Sequence, residues 1–216
     1  MEKLLPWGKS HSMSITIMSR QNSQSSEAIA KEVRQQVMIL GSFLLTFWLL
    51  EISDQFVFQK LWRGGLDVFG IIPRNMTGLR GVIFAPFLHG DFQHLMANTL
   101  PFGILGWLVM FNRIRDFWTV TAIATVIGGL GVWLVGAANS VHLGASILIF
   151  GYLGFLLFRG YFQRDIPSLA LAGIVFFFYG GVLWGVLPVT PGVSWEGHLF
   201  GFIGGGVAAK LLSNKP

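Results

Sequence analysis

The sequence predicts an all-α membrane protein of six membrane-spanning helices, and three observations carry that expectation. Hydrophobic residues make up 53% of the 216-residue chain and charged residues only 12%, with a mean hydropathy of +0.62, outside the soluble range. Six apolar runs are long enough to cross a hydrocarbon layer of ~30 Å as helices. The stretches between them carry charges or Pro and Gly, as connections do.

The polar segment 1–36 comes first, rich in Ser and Gln and carrying Lys3, Lys9, Arg20, Lys31 and Arg34. It reads as a tail leading into a short surface helix. No apolar core of signal-peptide type precedes the first run, so insertion is expected to rely on that run. The runs occupy 37–52, 83–111, 117–138, 146–162, 167–187 and 196–212, within a membrane region expected over 37–213. A first outer loop, about 53–82, holds aromatic and apolar residues suited to the membrane interface. With both termini inside, the inner segments hold eleven Lys and Arg, against four (Lys60, Arg63, Arg74 and Arg80) in the outer loops. The positive-inside rule favours that orientation.

The net charge of +5 is explained by topology, because the basic residues form neither a long block nor an aromatic-interleaved patch. Nucleic acid is therefore not expected as a partner. Cysteine is absent, which leaves no disulfide framework, thiolate nucleophile or cysteine metal site.

Polar residues inside the runs share a depth. Ser146 stands 13 residues before Arg159, or ~20 Å along a helix, and His198 stands 12 before Lys210, or ~18 Å. Asn98 stands 15 before Arg113, ~22 Å, with His94 one turn further out on the same face. On the sixth run His198, Gly201 and Gly205 form one stripe, and Gly151 and Gly154 give the fourth run a matching small surface. The two helices are expected to pack closely and bring Ser146 to His198.

Taken singly these residues have plain readings. Ser146 could bond back to its own helix, Asn98 could staple two helices and His94 could face interfacial water. Taken together at one depth they permit chemistry. Serine needs a base, and histidine is the usual one at neutral pH. The ten acids lie in tails, loops or helix ends, so a Ser146–His198 dyad is expected rather than a triad, with Glu196 capping the sixth helix. His94, Asn98 and the Ser146 N–H are candidate donors to an oxyanion. His89 and His142, also near the outer face, leave a four-histidine metal or haem site as a rival.

At these residues the chain resembles the rhomboid family of intramembrane serine proteases. The family's second-span pattern stands here as His89, His94 and Asn98, its GxSx motif as Gly144-Ala145-Ser146-Ile147, and its HxxGxxxG as His198, Gly201 and Gly205. The likeness covers about 70–212. It implies a six-helix bundle with the short fourth helix central, Ser146 as nucleophile, His198 as base, and Ser146 N–H, His94 and Asn98 around the oxyanion. It implies no cofactor or metal, a prokaryotic inner membrane with both termini cytoplasmic, and substrates whose own transmembrane helix enters from the bilayer. Two positions depart from the commoner pattern: Ile147 stands for glycine and Phe150 for tyrosine, and Phe150 is expected to stack on His198. A second reading is a catalytically inactive relative that binds and escorts membrane proteins.

Overall fold

A computed structural model describes residues 8–111, 113–190 and 192–213, with side chains from Ser25 onward. Among the described residues six long helices dominate: α1 (Gly8–Ser53), α2 (Phe92–Met110), α3 (Ile114–Val135), α4 (Ser146–Gln163), α5 (Ile166–Tyr179) and α6 (Trp195–Ser213). The only β pairing described is an isolated bridge between Ile71 and His142. The chain divides into two compact units, 1–39 and 40–216, and every site discussed below lies in the second.

Four segments, Ser25–Leu61, Ile114–Val135, Ser146–Gln163 and Ile166–Val186, are long and apolar enough to cross a membrane by length and composition. α2 and α6 fall outside that group because of what they carry. α2 holds Gln93, His94, Asn98 and Thr99, and α6 holds Glu196, His198 and five glycines.

Three elements differ from expectation. α1 is helical from Gly8, where a tail leading into a short helix was expected; between Gly8 and Gly41 no glycine or proline interrupts it. The second helix starts at Phe92 rather than near 83. Pro86 and Gly90 break the run, residues 81–87 form separate short helical turns, and the Asp91 carboxylate accepts from His94 N at 2.7 Å as the N-cap. The fifth run is α-helical only to Tyr179; Gly180 and Gly181 then open a tighter 3₁₀ turn, 180–186. Each interruption puts backbone near the cavity described below.

α4 sits at the centre and is buried along most of its length. Glycines set how near its neighbours come. A Cβ on Gly205 would run into the Gly151 carbonyl oxygen, one on Gly201 into Ile147 O, and one on Gly154 into Phe202 O, while Gly151 lies against Ala124. α4 and α6 thus meet backbone to backbone, with α3 closing the third side. Towards the other end of α4, Arg159 pairs with Asp116 of α3 at 3.3 Å, and the fully buried Tyr152 shares a hydrogen bond of 2.9 Å with Thr121.

Candidate active site

The segment 139–145 is short, and its backbone determines where Ser146 emerges. Gly144 has φ +118°, a conformation that side chains rarely adopt, and a Cβ there would stand 2.7 Å from His94 Nε2 and 3.7 Å from Asn98 Nδ2. Glycine is therefore required on two counts. Gly144 N donates to Ala85 O at 2.8 Å and Ala145 N to His89 Nε2 at 3.4 Å, which ties the loop to the turns before α2. Ser146 follows as the first residue of α4, its N–H at the positive end of that helix.

Ser146, His198, His94 and Asn98 line one cavity of about 1240 Å³. Asn98 is 6% exposed, and its Nδ2 has no hydrogen-bond partner among the described residues. A buried amide without a partner is uncommon, and this one belongs to a residue lining the cavity that contains the serine. His94, one turn earlier on α2, lies edge-on to the buried His89 at 5.2 Å between ring centroids. His89 also leans on Phe47 at 5.5 Å.

His198 is oriented from two sides. Its Nδ1 lies 2.9 Å from Gly185 O; a carbonyl only accepts, so Nδ1 carries the proton and Nε2 the lone pair. The Phe150 ring stacks on the imidazole at 4.1 Å and 10°. A Cβ on Gly185 would be 3.0 Å from Nδ1 and 3.1 Å from Phe150, a tight fit that would press the imidazole and the ring aside by a few tenths of an ångström. No hydrogen bond joins Ser146 to His198 among the described residues; the two are brought to one cavity wall by the Gly201–Ile147 contact. Ile147 fills space that Gly128 and Gly197 leave open, which accounts for a branched residue directly after the serine.

Glu196 is buried in the first turn of α6. Asp67 also lines the cavity; burial, then the carboxylates of Asp54, Glu51 and Asp91, push its carboxyl up to about 7. Among the described residues no three His, Cys, Asp or Glu side chains converge as a metal site would require. Sequence reasoning missed Gly185, Ser194 and the ring contacts of His142. A glycine-rich stretch inside an apolar run, "GGVLWGV", was the available signal for Gly185.

Residues 77–215 match the family described as Rhomboid domain. An uncharacterized protein of Mycobacterium tuberculosis is 45% identical over 192 residues, covering 83% of this chain and 78% of its own. One of Mycobacterium leprae is 44% identical over the same length, covering 83% and 74%. A Bacillus subtilis protein provisionally named a rhomboid protease is 27% identical over 167 residues, covering 72% and 77%.

Proposed function

The chain belongs to the rhomboid family, and from that premise we propose that it is an intramembrane serine endopeptidase cleaving membrane proteins in or near their transmembrane segments. It crosses the membrane six times with both termini inside. The observation that carries the reading is the pairing of two open polar groups on one cavity, the unbonded Asn98 Nδ2 and the Nε2 lone pair of His198, with Ser146 between the elements that hold them.

Chemistry follows from those atoms. His198 Nε2 takes the Ser146 hydroxyl proton as Oγ attacks the scissile carbonyl carbon. The developing oxyanion is met by Asn98 Nδ2–H, His94 and the Ser146 N–H, donors held in place before the reaction begins. The imidazolium returns its proton to the leaving amine as the C–N bond breaks, leaving an acyl-enzyme. Water, activated by the same Nε2, then releases the acid. Gly185 O performs the orienting work that a carboxylate does in a triad, without its charge. A substrate helix hides its peptide bonds in internal hydrogen bonds, so segments weakened by Gly or Pro near the outer boundary are the preferred substrates.

Co-expression with single-span membrane proteins tests this. Cleavage by wild type that is lost in Ser146→Ala and in His198→Ala, with both variants still folded in the membrane, is the expected result. Cleavage surviving either change refutes the dyad. Cleavage absent from wild type across the panel favours the escort reading.

A further inference from the structure

His142 joins three segments of the outer face. Its backbone pairs with Ile71 in both directions, at 2.8 and 2.9 Å, which attaches it to the first outer loop. Its ring makes two further bonds. Ser140 Oγ donates to Ala137 O at 2.6 Å, so at 2.7 Å it accepts from His142 Nε2–H. Nδ1 then carries the lone pair and accepts from the Ser194 hydroxyl, also at 2.7 Å. Burial lowers the imidazole from the usual histidine range, partly offset by the Glu196 carboxylate, which favours the neutral ring whose Nδ1 accepts.

The two ends of this link have matching positions. His142 is four residues before Ser146, and Ser194 is four residues before His198, whose N–H donates to Ser194 O at 3.1 Å. Among the described residues the His142–Ser194 bond is the one hydrogen bond joining the 137–145 connection to the start of α6. Below it glycines bring the α4 and α6 backbones together, and the ring contacts between the two helices, Phe150 on His198 and Phe158 against Phe202, are apolar or stacked faces that carry no hydrogen bond.

We propose that the His142–Ser194 hydrogen bond is a positioning clamp, setting the separation and angle at which His198 meets Ser146. The proposal rests on the dyad reading above. Neither residue touches the reacting atoms; the clamp acts by holding the two backbones that bear them, where a displacement near 1 Å is enough to slow chemistry about a hundredfold.

The test is a double-mutant cycle on full-length protein in liposomes, with Ser194→Ala, His142→Phe and the pair. Substrate turnover and the rate of Ser146 phosphonylation by a fluorophosphonate are both measured. Each single change should lower kcat about tenfold or more with KM within about twofold, a split that misplacement of the reacting groups produces. The pair should lose no more than the worse single variant, since both remove one interaction. Ser194→Thr, which keeps the hydroxyl, should restore kcat, and His142→Asn, whose Oδ1 can stand where Nδ1 does, should recover more than Phe. Wild-type kcat in Ser194→Ala, losses that multiply in the pair, or failure of Thr to rescue would each overturn the clamp. So would an adduct on Ser194 itself, which would make that serine a nucleophile. Absence of an adduct on Ser146 in wild type sinks the dyad reading instead, so the two failures are distinguishable.

Discussion

Asn98 is the residue at which a structural role and a chemical role make opposite predictions. A polar side chain that staples two helices loses stability when it is removed, because its partner is left unsatisfied. Among the described residues Asn98 Nδ2 has no such partner, and it is buried, so Asn98→Ala should leave the unfolding midpoint in detergent within about the range of a neutral change while lowering kcat by about a hundredfold, the scale of a lost oxyanion donor. A drop in the midpoint with turnover unchanged would assign Asn98 to packing. Polar groups at membrane depth are costly and their spacing along each run is readable, so the sequence marks Ser146, His198, His94 and Asn98 as candidates, and the structure places all four on one cavity. Gly185, His142 and Ser194 were not legible in this way. Their roles arise from contacts between segments 13 to 52 residues apart, and local pattern does not encode such distances.

At the scale of elements, the close approach of α4 and α6 is a property of glycine placement. A methyl group on Gly205 would meet the Gly151 carbonyl, whereas one on Gly173 of α5 would meet nothing within 4 Å. Gly205→Ala should therefore destabilise the fold by about 1–3 kcal/mol, the usual range for forcing bulk into a packed contact, and reduce turnover with it. Gly173→Ala should be neutral or slightly stabilising, since alanine is the better helix former. Equal unfolding midpoints for the two variants would contradict the packing described. The glycine stripes were visible as i, i+3 and i+7 spacing. The start of α2 was not, because apolar residues at 83–88 precede it almost without a gap and average hydropathy does not register that Pro86, Gly90 and the Asp91 cap end one element and begin another.

For the molecule as a whole, the apolar helices belong in a bilayer, and irregular backbone at 139–145 and 180–186 borders the cavity, where polar backbone is tolerated beside open space. Hydropathy marks the apolar helices and the family resemblance implies a central fourth helix, while how closely the neighbours approach α4 is read from what its glycines touch. The central claim is that His198 activates Ser146. It is tested most directly by incubating purified protein with a fluorophosphonate and locating the adduct by mass spectrometry. An isolated hydroxyl reacts poorly with such reagents, whereas one whose proton passes to an imidazole beside oxyanion donors reacts readily. Wild type should carry an adduct on Ser146 that disappears in His198→Ala; no adduct in wild type, or one equally strong without His198, would contradict activation of Ser146 by His198.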